Sequence, residues 1–154
     1  MVWAAVSKRG KFRLAFVDSG VRINQHYYQE HVLNGIVKED GKRLFKKENW
    51  TFQQDSAPAH KAIINQEWCA SKIPDFISSK EWPPSSPDLN PMDYAIWGIL
   101  ESKVNSPQHH SLDSLKKAIE KEWDNLSMVT VRNSIDAFPR RLKALIRKKG
   151  GRFE

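Results

Sequence analysis

The sequence predicts an α/β fold in which a mixed sheet is flanked by helices. Two observations predict it. Early apolar residues fall in short runs of strand character, whereas later ones recur at the three- and four-residue spacing of helices. The resulting order is strand, strand, helix, strand, helix, strand and then helices, which calls for a sheet with helical cover. At 154 residues the chain is about one domain long and can bury a core of its own.

Taken in order, residues 1–6 (MVWAAV) read as a buried strand, KRGK (8–11) as a turn and FRLAFV (12–17) as a second strand, stopped by Asp18, Ser19 and Gly20. Two strands joined by a short Gly-containing turn predict an antiparallel hairpin. Asn24 is placed to cap a helix carrying Tyr28, Val32, Leu33, Ile36 and Val37, which Asp40 and Gly41 are expected to end. Residues 50–54 read as a strand with Asp55 at its C-terminal end, residues 58–71 as a helix with Pro58 in its first turn, and Phe76 and Ile77 as a short strand. EWPPSSPDLNP (81–91) holds four prolines in eleven residues and fits neither helix nor central strand. It leads into an apolar helix (Tyr94, Ile96, Trp97, Leu100) with Asn90 as a candidate N-cap and Asp93 in the first turn. Ser111 can cap the next helix (Leu112, Leu115, Ile119, Trp123), and a last one at about 128–138 is expected to stop at Pro139. The predicted organisation is a domain over 1–138 and a basic tail over 139–154.

Composition narrows the function classes. No apolar stretch approaches the length that spans a bilayer, and the N-terminal apolar run meets Lys8 and Arg9 too soon for a signal peptide. The lone Cys69 excludes an internal disulfide and a cysteine zinc site, and fits a reducing compartment. The net charge is +7, and from Phe138 onward seven basic residues (Arg140, Arg141, Lys143, Arg147, Lys148, Lys149, Arg152) face Glu154 alone. Such a cluster suits phosphate neutralisation on a nucleic acid, and equally a solvated basic helix end.

Two acids stand out. Asp55 sits in FQQDSAPAH (52–60), where an Asp before small residues and Pro is either a turn residue or a metal ligand. Asp93 lies 37 intervening residues further on. A strand end and a helix start each offering a carboxylate is the ribonuclease H-like arrangement. Phosphodiester chemistry explains the gathering of such acids: paired magnesium ions about 3.5–4 Å apart serve both attacking and leaving oxygens, and magnesium prefers carboxylate oxygens.

FQQDSAPAH together with WPPSSPDLNPMDYAIWGIL (82–100) resembles the catalytic domain of the mariner superfamily of DDE/DDD transposases. That family pairs a (Q/H)D-N-APxH segment around its second catalytic acid with a SPDLNP-(acid) segment containing the third. Further similarity lies at MVWAAVS, at the W-x-F strand, at Glu122–Trp123, at PRRL (139–142) and at KKGG (148–151). The resemblance implies a ribonuclease H-like fold with Asp55 and Asp93 as the second and third metal-binding acids. It also implies Mg²⁺ or Mn²⁺ in a two-metal site, transposon ends and target DNA as partners, a homodimer and a nuclear location. The reaction implied is DNA cleavage and strand transfer. Ser56 stands where Asn is usual, and the spacing between the acids exceeds the family's commonest. His60, matching the motif's His, would contact DNA or brace the loop, with Arg140, Arg141, Lys143, Arg147, Lys148 and Lys149 against phosphates.

In the family the first acid lies on a strand upstream of MVWAAVS. The expectation is therefore a domain incomplete at the N-terminus, with two acids of three, exposed sheet edges and no activity alone. A non-enzymatic, transposon-derived DNA-binding or dimerising module is the alternative reading, and a decayed copy a third.

Overall fold

The computed structural model describes residues 1–105 and 108–149. Two compact units divide the chain: Met1–Ala5 with Arg9–Ser86, and Val6–Lys8 with the described residues from Pro87 onward.

In the first unit the expected hairpin forms. Strand β1 (Val2–Trp3) pairs antiparallel with β4 (Ala15–Phe16), Val2 opposite Phe16 and Trp3 opposite Ala15. The Val17 amide donates to the Met1 carbonyl at 2.9 Å, extending the pairing. Strand β3 (Gly10–Lys11) lies between them in sequence, as does β2 (Val6–Ser7), which belongs to the second unit. Asn24 caps as expected, its Oδ1 accepting from the amides of His26 and Tyr27 at 3.0 and 2.9 Å.

The helix that follows does not stop at Asp40 and Gly41. It runs as α1 (Gln25–Tyr27), a π-helical stretch (Tyr28–Val37) and α2 (Lys38–Phe45). Both supposed breakers have packing roles. Asp40 is buried and accepts from the Arg13 amide at 2.7 Å and from its Nε at 2.9 Å. Gly41 lies against Trp50, where an added Cβ would meet Cζ2 at 2.7 Å. Tertiary packing overrides the local turn preference of Asp-Gly.

Strand β5 (Thr51–Phe52) pairs in parallel with β6 (Asp75–Phe76), and the Ile77 amide adds a bond to the Phe52 carbonyl at 2.9 Å. Antiparallel and parallel pairings both occur, but in separate two-stranded sheets (β1 with β4, β2 with β3, β5 with β6) rather than in the single mixed sheet that the element order predicts. The helix expected over 58–71 is divided: α3 (Pro58–Lys61) and α4 (Ile63–Lys72) meet at Ala62, whose ψ of 133° is extended. Tyr28, Val32, Leu33, Val37, Phe52, Trp68, Cys69 and Ile73 form the core. Each large apolar side chain fully withdrawn from water contributes about 1.5–3 kcal/mol. Burial pushes the Cys69 thiol up to about 12.

In the second unit a 3₁₀ turn (Pro87–Leu89) and a π-helical turn (Met92–Ile96) lead into α5 (Trp97–Val104), followed by α6 (Leu112–Asn125) and α7 (Met128–Arg147). Ser111 and Ser114 close a capping box at the start of α6. Leu89, Ile96, Leu100, Trp123, Leu126 and Val131 are buried. The break expected at Pro139 is absent, since α7 passes through it. Contacts on both sides hold the helix: the Ser134 carbonyl accepts from the Tyr94 hydroxyl at 2.5 Å, and Arg141 donates to the Asp88 carbonyl at 3.1 Å. Within the tail, residues 150–154 lie outside the described residues.

Candidate metal and nucleic-acid site

Asp55 lies in the loop that leaves β5 and enters α3. Its Oδ1 accepts from the Ala57 amide at 3.0 Å and faces the His60 Nδ1 at 2.5 Å. The first bond is the two-residue Asx turn that an Asp before small residues favours. The second comes from the helix, because Pro58 starts α3 and so returns His60 to the loop. The turn reading and the ligand reading of Asp55 are therefore compatible: both bonds fall on Oδ1, while Oδ2 takes part in neither. The His60 ring nitrogen and then the Ala57 amide stabilise the carboxylate and hold the Asp55 carboxyl below its usual value, against an opposing effect of burial.

His60 is itself braced. Its ring lies 4.4 Å from the ring of Tyr28. The Tyr28 hydroxyl donates to Gln54 Oε1 at 2.9 Å, and Gln54 Nε2 donates to the His60 carbonyl at 3.3 Å. Gln66 Nε2 donates to the same carbonyl at 2.8 Å. Tyr28 and Gln54 are buried, and burial raises the Tyr28 pKa, so its hydroxyl stays a donor. This network escapes sequence inspection because Tyr28 and Gln54 are 26 residues apart. The adjacent Gln54 in QQD is the one local signal for it.

Asp93 occupies the π-helical turn opening the helix after SPDLNP, and its side chain is exposed. Asn90 Nδ2 donates to Asp93 Oδ2 at 2.8 Å, while Asn90 Oδ1 accepts from the Met92 amide at 3.2 Å. Asn90 thus ties the turn and the acid together. π-helical turns recur at functional sites because the wider winding re-aims a side chain.

Asp55 and Asp93 fall in different units. Both are exposed acids on short hydrogen-bonded turns, and carboxylate oxygens suit hard divalent cations. Among the described residues, no three His, Cys, Asp or Glu side chains are grouped to hold a metal ion. The basic residues expected against phosphates lie toward the end of α7 and just beyond it. Arg140, Lys143, Arg147, Lys148 and Lys149 are placed there and all five are exposed. Arg141 differs: its guanidinium lies 3.9 Å above the Tyr94 ring and bonds to the Asp88 carbonyl, so it fastens α7 to the SPDLNP turn.

No protein-family model matches the chain. It is 27% identical over 150 residues to the transposable element Tcb1 transposase of Caenorhabditis briggsae, covering 97% of this chain and 52% of that protein. It is 30% identical over 154 residues to the Tc3 transposase of Caenorhabditis elegans, covering 97% of this chain and 44% of that protein. The chain therefore spans about half the length of the curated relatives it matches. Among solved structures it matches the Mos1 mariner transposase catalytic domain with a TM-score of 0.84 at 18% identity, over 99% of this chain and 75% of that one. A Mos1 paired-end complex with the left transposon end matches with a TM-score of 0.86 at 20% identity, over 99% of this chain and 44% of that one. Mos1 catalytic-domain structures with Mg and with Mn also match. The chain is homologous to Tc1/mariner transposases and has the ribonuclease H-like fold of the Mos1 catalytic domain.

Proposed function

We propose that this homologue of the Tc1/mariner transposases serves DNA transposition, contributing Asp55 and Asp93 as carboxylate ligands for divalent metal. The observation that carries the proposal is the pairing of QDSAPAH and SPDLNPMD with their local geometry, each acid held by its own motif's His or Asn. Mos1 structures contain Mg or Mn and transposon-end DNA, and these ligands come to this chain by homology. Asp55 fits a metal on the chemistry of its donors, since Oδ2 takes neither of the two bonds that hold the carboxylate. A bound divalent ion supplies Lewis acidity toward a phosphodiester. The chain's own part is to orient both carboxylates: His60 and the Ala57 amide hold Asp55 and also favour its ionised form, and Asn90 holds Asp93. Exposed cations of α7 would meet phosphates, and a nuclear location follows from action on genomic DNA.

The test is Mn²⁺ binding by calorimetry alongside cleavage of a transposon-end duplex in Mg²⁺ or Mn²⁺. Metal binding that weakens at least about tenfold in both Asp55→Asn and Asp93→Asn supports the reading. Binding that survives both substitutions overturns it. The concentrated charge of α7 favours one second reading, a DNA-binding module without cleavage. Salt-sensitive duplex binding with neither metal binding nor cleavage would support that instead.

A further inference from the structure

A pocket of about 260 Å³ lies in the first unit, between α2, the loop that follows it and the end of α4. Its lining includes Lys38 and Lys42 of α2, Lys46 and Lys47 of the loop, and Lys72 of α4, with Trp50 in the wall. Five lysines from three segments thus face one acid, Glu48, whose carboxylate is already paired with Arg9. Lys42 lies 3.7 Å from Glu39 at the surface, a weak pairing. Lys38, Lys46, Lys47 and Lys72 make no ion pair among the described residues.

Helix dipoles account for part of this. Lys42 and Lys72 stand in the last turns of α2 and α4, where a cation is favoured. Lys46 is different. Its φ of 55° and ψ of −105° are conformations that glycine adopts freely and a side chain does not. A lysine kept there strains the backbone, and such strain clusters where a side chain is needed in place.

We infer that this pocket is a binding site for the phosphodiester backbone of DNA, at the opposite end of β5 from Asp55. Trp50 precedes β5 and Asp55 follows its end, so the pocket is separate from the acid loop. Lysine ammonium groups are point charges that neutralise phosphates without reading sequence. The volume is below the usual range for drug-sized ligands, and it is the five-lysine lining that suits a phosphate group. The inference rests on the DNA-directed function proposed above and adds a contact surface to it.

The test uses the full chain and a short labelled duplex of arbitrary sequence, with binding followed by anisotropy across a salt series. The variant K38Q/K46Q/K47Q/K72Q should bind at least about tenfold more weakly at about 50 mM salt. Its log K against log salt should be shallower by about 2–4, at roughly 0.9 for each phosphate no longer neutralised. Lys46→Gly relaxes the backbone, and should flatten the slope by about 0.9 while its Tm stays level or rises. Unchanged affinity and slope in both variants overturn the inference. So does pocket-dependent binding of inorganic tripolyphosphate with duplex binding untouched, which would assign the pocket to free polyphosphate. A wild-type chain that binds no duplex defeats the proposed function as well. Binding that is lost on neutralising Arg140, Lys143 and Arg147, yet is unaffected by the pocket variants, defeats the pocket alone.

Discussion

His60 and the Ala57 amide hold the Asp55 carboxyl below its ordinary value of 3.8. A depressed carboxyl favours the folded state in its ionised form. The contribution is therefore present above the ordinary value and is lost as pH falls through the lowered one. Asp55 is about half exposed, so solvent screens the effect and it is small. His60→Ala should return the Asp55 titration toward 3.8, read by carbon NMR of the side-chain carboxyl; a midpoint that stays put would show that the Ala57 amide suffices. At this scale the sequence is informative about identity and silent about support. FQQDSAPAH names Asp55 and His60, but the Tyr28 that braces His60 comes from the π-helical stretch well upstream.

Between elements, the contacts that decide the fold are those local pattern misses. Gly41 shows the competition directly. Alanine there would gain about 1 kcal/mol of helix propensity. Its Cβ, however, would press on Trp50, whose ring is stacked at 4.8 Å on Phe45 and flanked by Phe52. Overpacking costs about 1–3 kcal/mol, and the Phe45 stack resists displacement of the indole, so Gly41→Ala should lower stability in urea by up to about 2 kcal/mol net of the propensity gain. Pro139→Ala should do the reverse. It restores the missing amide inside a helix held by Tyr94 and Arg141, and should raise stability by about 1–3 kcal/mol in the same measurement. The caps at Asn24 and Ser111 are legible because their partners lie two or three residues away, and the hairpin because a short Gly-containing turn joins its strands. Asp40, Gly41 and Pro139 mislead for the opposite reason: Arg13, Trp50 and Tyr94, which decide them, are not local in sequence.

Across the whole chain, charge is organised in two places that sequence shows unequally. The α7 end is a visible run, whereas the pocket lysines are spread from residue 38 to residue 72 and are gathered only by folding. With a net charge of +7, duplex binding should weaken steeply between about 50 and 200 mM salt, giving a straight line of negative slope in log K against log salt. Affinity indifferent to salt would exclude phosphate neutralisation as the source of binding. The fold is readable because the family's motifs are compact, while the electrostatic surface belongs to the folded molecule.

Trp50 carries one more consequence. Its indole both stacks on Phe45 and walls the lysine pocket, so the fold has built a fluorophore into that wall. The chain holds six tryptophans, and a Trp50→Phe difference spectrum isolates this one. Filling the pocket with a phosphate should change the polarity around its ring, and the emission of Trp50 becomes an optical gauge of occupancy that needs no attached label.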